Sequence, residues 1–253
     1  MAELMTMGWR TYRAAYPWGV LVMSSLPRAV LQAAFLTYLG YLAGGTAGRD
    51  FALVGACMYV MVTGTVIRGS DVVLDERPTG TMYRLRLSRQ GTFRVFLSRA
   101  WVYPVEAVLS ALVATVAVCA LFGEPQVLLR IVAAAPLVVL TAVSAMAFAL
   151  AVAVAASSWS SDVLVINVVA FALLVLTGAV APVAALPHLL QQVASVLPMT
   201  HGIAAVRAVV DGTSWQGAAA AELAVGAGWL VVAWLAAVAE DRISRFRTSE
   251  TDR

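Results

Sequence analysis

A chain of 253 residues is long enough for one or two water-soluble domains, but 61% of its residues are hydrophobic, 12% are charged and its mean hydropathy is +0.86. Soluble domains are roughly 45–50% apolar and about 25% charged, so this chain has too little charge to cover a water-facing surface and reads as an integral membrane protein. All 17 basic residues are arginine. The missing lysine excludes a P-loop nucleotide site and a Schiff-base enzyme, both of which require one.

In chain order, Met1–Trp18 comes first, a polar stretch bearing tyrosines and arginines. The apolar run behind it is too long for the core of a secretory signal, so the stretch reads as an interfacial helix on the membrane. About 20 apolar residues at 1.5 Å each cross a hydrocarbon core of about 30 Å. Six stretches qualify: Val20–Ala43, Phe51–Ile67, Ala100–Phe122, Ile131–Ala156, Val163–Ala181 and Ala218–Ala239. They are continuous and alanine-rich, whereas a membrane β-barrel needs alternating segments of about ten residues. The expected fold is therefore all-α and membrane-integral, a single transmembrane domain over residues 1–253.

Orientation follows from the arginines near the span ends. One side receives Arg10 and Arg13, seven arginines between Arg68 and Arg99, and four after the last span. The other receives Arg49, Arg130 and Arg207. Arg28 lies in the first span near its inner end, within snorkelling reach of the interface. Both termini are thus expected in the cytoplasm. Trp18, Trp101, Tyr103 and Trp159 fall near inner ends and Tyr38 and Tyr41 near an outer end, where amphipathic rings belong.

Three connections are short, Gly44–Asp50, Gly123–Arg130 and Ser157–Asp162, and two are long, the cytoplasmic Arg68–Arg99 and the outer Pro182–Gly217. The cytoplasmic loop contains Asp75-Glu76-Arg77-Pro78-Thr79-Gly80-Thr81, then Arg84, Leu85 and Ser88. Pro78 and Gly80 break the chain, and Thr79 or Thr81 can cap a new helix. Its physics allows two readings: a basic loop held near anionic headgroups, or a short helix docked in a partner's groove, with Glu76 and Arg77 making charge contacts. The outer segment, with Pro182, Pro187, Pro198, Thr200, His201 and Arg207, is too apolar for a solvated loop and too broken to span, so it reads as re-entrant or interfacial helices. His188 and His201 lie 13 positions apart without cysteines or clustered acids beside them, which argues against a metal site. Cys57 and Cys119 fall in apolar runs and read as small hydrophobes.

Within the spans, Glu106 is costly in lipid. It reads as a partner for a cationic substrate, as a partner for an arginine such as Arg28, or as a hydrated interfacial carboxylate. Asn167 is a milder intramembrane polar group, and Gly40 and Gly44 form a GxxxG that permits close helix contact. The remaining polar groups of the spans read as isolated serines and threonines.

Asp75-Glu76-Arg77 followed by Gly80-Thr81, Leu85 and Ser88 resembles the cytoplasmic loop of ABC-2 type transporter permeases. Leu197-Pro198-Met199-Thr200-His201, with Arg207 and Gly212 after it, is similar to that family's segment before the last helix. The order of an interfacial helix, six spans and an outer insertion between spans five and six also resembles the family from end to end. Arg89 stands where the family's loop usually has proline.

The resemblance implies the membrane subunit of an ATP-driven exporter in a bacterial cytoplasmic membrane. A second permease copy, identical or homologous, would share the translocation path, and two separate ATPase subunits would carry ATP and Mg. The resemblance implies ATPase coupling by Asp75, Glu76, Arg77, Gly80, Thr81, Arg84 and Leu85 in the loop 68–99. It implies an outer gate at Pro198, Thr200, His201 and Arg207 within the insertion 182–217. Glu106, Asn167 and Arg28 are the candidate pathway residues. No cofactor, metal or nucleic acid is expected on this chain. A mostly apolar path favours a hydrophobic or amphipathic substrate, drug-like or lipid-like. An ion-coupled secondary transporter would call for mid-membrane ionisable groups and internal repeats, and a membrane enzyme for a convergent catalytic cluster; the spans offer little toward either.

Overall fold

The computed structural model describes residues 2–75, 91–157 and 161–251, and among them every regular element is a helix. That is the outcome the solvent imposes, because lipid offers no partners to backbone N–H and C=O groups and a helix pairs them within one segment.

Helix α1, Ala2–Ala15, is the expected amphipathic N-terminal element. It docks against the bundle: Tyr12 is buried and meets Tyr103 edge-on at 5.3 Å, and Trp9 stacks on Trp101 at 6.5 Å. The apolar helical stretch that follows, Trp18–Leu74, is 57 residues long. Drawn out straight it would measure about 86 Å, nearly three hydrocarbon cores. It folds back instead. Helix α2, Leu26–Tyr59, is broken at Gly44 (φ −145°, ψ 19°) and Gly45 (φ 62°, ψ −145°), the second in a region that essentially only glycine enters. Eight residues of straight helix would hold Gly40 and Gly48 about 12 Å apart, yet a Cβ on Gly40 would lie 2.6 Å from the Gly48 carbonyl oxygen.

The GxxxG expectation is thereby corrected. Gly40 packs on Gly48 and Ala52 within its own hairpin, and Gly44 faces open space as half of the hinge. The connection expected at Gly44–Asp50 shrinks to that hinge, because helix resumes directly after it.

Two π-helical turns, Leu21–Ser25 and Thr63–Arg68, lie at the far ends of the hairpin's arms, and the short α3, Asp71–Leu74, follows the second. Helices α4, Thr92–Ala100, and α5, Val102–Phe122, run on through Trp101 as one apolar stretch. The fourth apolar run begins later than its expected start at Ile131. Helix α6, Pro125–Ala133, ends at Ala134 (ψ 9°), and α7, Ala135–Ala156, starts anew with Pro136, which has no N–H to continue the first helix. Helix α8, Asp162–Leu176, is shorter than the expected Val163–Ala181, since the chain turns at Gly178. After the turn Val183–Ala185 come α9, His188–Val196, and α10, Thr200–Asp211, bent at 89° to each other. The final α11, Gln216–Thr251, continues past the expected Ala239.

The insertion α9–α10 enters and leaves at one end of the bundle. Arg207 of α10 reaches the Gly178 carbonyl that ends the α8 segment, and Arg130 at the end of α6 donates to Val210 O. Only the tip between α9 and α10 goes deeper, meeting α11 at Glu222, six positions in from its start. The segment expected as re-entrant or interfacial helices is thus a pair of short helices bent sharply at their junction. Helix α7 is the centre of the bundle, with 78% of its most apolar window buried, against 22% for α11, whose outer face is exposed and apolar. At the α1 end, Thr92 donates to Asp241 at 2.8 Å and Ser157 to Glu240 at 2.9 Å, so α4, the end of α7 and α11 meet there. At the opposite end Arg49 bridges Asp50 and Glu124.

Candidate functional site

Two polar clusters stand out from the apolar bundle, one at each end. The first lies where α1, the π turns and α5 converge. Arg68 pairs with Glu106, donates to Ser25 Oγ at 2.6 Å and lays its guanidinium over the Tyr16 ring at 4.7 Å. Tyr16 in turn donates to Asp71 Oδ2 at 2.7 Å. Ser25 and Arg68 are each the last residue of a π turn, the kind of local widening that re-aims a side chain and recurs at functional sites. The Arg68 and Glu106 side chains are 12% and 10% exposed. An ion pair this enclosed adds little net stability, but losing one partner strands a charge.

Two atoms of the cluster are left over. Glu106 Oε2 and the Tyr12 hydroxyl are buried without a well-formed hydrogen bond. They are close enough that Glu106, after burial, raises the Tyr12 phenol above its ordinary range. Tyr16 is likewise raised by burial and by Asp71. Burial also pushes the Asp71 carboxyl up to about 6, against the lowering effect of the Tyr16 hydrogen bond.

Glu106 therefore has its arginine, but the partner is Arg68 and not the Arg28 singled out from the sequence. Arg28 is exposed in the first turn of α2, on the rim of a small recess that also contains Gln32, Arg68 and Glu106. Asn167 is not drawn into either cluster. It lies on the exposed face of α8, among Val163, Leu164, Val168 and Phe171, with its amide donating to Val163 O at 2.8 Å. Of the expected coupling residues, Asp75 closes α3 at the edge of the first cluster. Glu76, Arg77, Gly80, Thr81, Arg84 and Leu85 lie outside the described residues.

The second cluster holds the re-entrant tip. Pro198 is buried in the turn between α9 and α10, and Met199 takes a left-handed conformation (φ 73°) that opens α10. Glu222, on α11 and 0% exposed, supplies both carboxyl oxygens to that opening: Met199 N–H donates to one at 2.9 Å and Gly202 N–H to the other at 2.8 Å. The first N–H groups of a helix have no partner within it, and its N-terminus carries partial positive charge. A carboxyl from a neighbouring helix answers both needs. Thr200 begins α10 with its hydroxyl buried and unpartnered, and His201 Nε2 sits 2.9 Å from Ser195 O, tying α10 back to α9. Trp229, two turns further along the same face of α11, donates to Val196 O at 2.7 Å and packs edge-on against Phe148 of α7.

Arg207 secures the other end of α10. Its Nη2 donates to Gly178 O at 2.7 Å and Phe51 O at 3.1 Å, and its guanidinium lies 3.6 Å from the Phe51 ring centroid. It thus ties the insertion to α2 and to the end of α8. Gly55 is small for this reason, since a Cβ there would meet the Ala179 carbonyl and lie 2.6 Å from Arg207 Nη2. Among the described residues no three His, Cys, Asp or Glu side chains converge as a metal site.

Reading the sequence missed Glu222, Asp71, Tyr12 and Tyr16. Glu222 had a clear signal, an acid inside the apolar run Ala218–Ala239, and the reading that the spans offered only Glu106 besides serines and threonines is corrected by it. The tyrosines had none, because aromatic residues of an interfacial helix are ordinary until their neighbours are known.

Residues 2–210 match the family model described as ABC-2 type transporter. No curated protein and no solved structure matches the chain.

Proposed function

The chain belongs to the ABC-2 type transporter family, as the membrane permease subunit of an ABC transporter, and on that premise we infer that it works as an exporter driven by ATPase subunits on separate chains. The observation that carries this reading is the Arg68–Glu106 cluster, which joins the segment leading into the loop 68–99 to α1, α2 and α5. A push on that loop has a polar, directional route into the helices. Two ATPase subunits bind the cytoplasmic face, holding ATP and Mg, and the segment Asp75–Leu85 docks into them. Their closure on ATP moves α3 and with it Arg68, and access switches from the inside to the outside. Coupling of this kind needs contacts that differ between two states, and ionic contacts at an inner interface supply them.

Six crossings complete the topology. The hairpin at Gly44–Gly45 provides two, and α4–α5, α7, α8 and α11 one each, with both termini in the cytoplasm and the insertion α9–α10 outside. Helix α8 has only 15 residues, about 22 Å, and the segment through Gly178 completes its crossing. A second permease copy lies against the exposed face of α8, where Asn167 is a hydrogen-bonding group of the type that joins helices in lipid. The insertion, held at its tip by Glu222 and at the far end of α10 by Arg207, forms the outer gate. The exposed helix faces are apolar, which suits a hydrophobic or amphipathic substrate, a drug, antibiotic or lipid-like molecule.

The test is reconstitution with the co-expressed ATPase. Glu76→Ala combined with Arg77→Ala should leave membrane insertion intact and abolish the stimulation of ATP hydrolysis by the permease. Unchanged stimulation sinks the coupling assignment.

A further inference from the structure

A groove of about 730 Å³ runs along the bundle between α4–α5, α7 and α11, open to one side. Its volume falls within the range of about 300–1,000 Å³ typical of ligand sites. Its wall on α4–α5 carries a stripe, Leu97, Trp101, Val105 and Leu109, at successive four-residue steps, all more than a third exposed, flanked by Ala100, Pro104 and Val108. Val143 of α7 and Ala227 of α11 face them. Ser144 is one of very few polar residues in the lining, so the floor suits hydrocarbon and offers little to a polar cargo.

Three observations identify the occupant. The stripe from Leu97 to Leu109 rises over twelve residue steps, about 18 Å, close to one leaflet of a hydrocarbon core about 30 Å thick. Its second member, Trp101, has its indole N–H anchored to Met5 O of the interfacial helix α1 at 3.3 Å, so that end lies at the headgroup level. Below it, one turn before Leu97, the same helix face carries the exposed Arg94, and exposed Arg242 lies next to Asp241, which holds the start of α4. Arginines on the helices beyond the end of an apolar slot of leaflet length match a phosphate followed by an acyl chain.

We propose that this groove is a specific binding site for one anionic phospholipid of the inner leaflet, its chain between α5, α7 and α11 and its phosphate at Arg94 and Arg242. This goes beyond the exporter reading and rests on it only for the choice of leaflet; occupancy itself is independent of orientation and of any ATPase.

The probes are dioleoyl phosphatidylglycerol and dioleoyl phosphatidylcholine, added to the purified full chain in detergent and read by native mass spectrometry. The expected result is a saturable adduct of one lipid per chain, with phosphatidylglycerol preferred by about fivefold for each participating arginine. Ala227→Trp fills the slot from an exposed position and should remove the adduct. Arg94→Gln should keep the adduct and reduce the preference. Should Ala227→Trp fail to fold, Val143→Trp at the exposed rim tests the same space. Independently, phosphatidylglycerol brominated on its chains should quench part of the fluorescence of the seven tryptophans, and the saturable part should shrink in Trp101→Phe. Adducts that never saturate at one copy, or that persist in the filled variants, mark ordinary boundary lipid and overturn the proposal. So does a shift from dimer to monomer in Ala227→Trp with lipid binding unchanged, which would make the groove a contact between copies. Failure of the coupling experiment on Glu76 and Arg77 would leave this result standing.

Discussion

Glu222 gives the most direct test of how the α9–α10 insertion is held. Glu222→Ala removes both acceptors from the Met199 and Gly202 amides, which donate to it at 2.9 and 2.8 Å in a site where the side chain is fully buried. Each buried amide left without a partner costs about 1–3 kcal/mol, so the substitution costs on the order of 2–6 kcal/mol, less whatever water enters the cavity. Most of that falls on α10, since the bonds lie at its opening, while the rest of α11 keeps its packing on α7. Glu222→Gln should be intermediate, because its amide oxygen still accepts one N–H but its NH₂ faces the other donor. The assay is hydrogen–deuterium exchange in detergent. Peptides covering residues 197–211 should lose protection by at least about tenfold in Glu222→Ala, as 1.4 kcal/mol already implies, while peptides from α7 change little. Unaltered protection across 197–211 would refute the idea that this carboxyl holds the insertion.

Two further outcomes follow from the opposite end. Arg68→Ala and Glu106→Ala each leave one member of an enclosed ion pair behind and should each destabilise by about 3–5 kcal/mol, whereas the double variant should lose clearly less than their sum; additive melting shifts would show that the two residues do not act as a pair. Because Asp71 holds its proton up to about 6 in the folded chain, above its ordinary value near 4, its contribution to stability is full at low pH and is lost as pH rises through about 6, up to about 3 kcal/mol. Asp71→Asn keeps an acceptor for Tyr16 and should flatten melting temperature against pH between about pH 4 and pH 7; a difference from the parent chain that does not vary with pH would contradict this.

The sequence was legible where the physics is local. Transfer of an apolar run into lipid is nearly additive along the chain, so hydropathy located the helices, although not their ends. The break at Ala134, the turn at Gly178 and the hinge at Gly45 moved the boundaries by several residues. The outer segment was legible for a similar reason, because three prolines in an apolar stretch exclude both a solvated loop and a straight span. Glu106 was legible as a residue in need of a partner, since the cost of a charge in lipid does not depend on the fold.

What the sequence could not supply was the partner. Arg28 and Arg68 are both arginines near the same end of the bundle, and only the π turn at Thr63–Arg68 and the docking of α2 on α5 bring the second to Glu106. Gly40 and Gly44 have a familiar spacing, yet the hairpin gives Gly40 to Gly48. The carboxyl of Glu222 meets amides twenty or more positions away because α11 passes the tip of α10 at that height. By itself, then, the sequence determined that this chain lives in a membrane as apolar helices with its arginines gathered toward one side, because burial in lipid acts on each segment alone. The tertiary structure decided which polar groups meet, because hydrogen bonds and ion pairs act over about 3 Å and their registry is set by how distant helices pack.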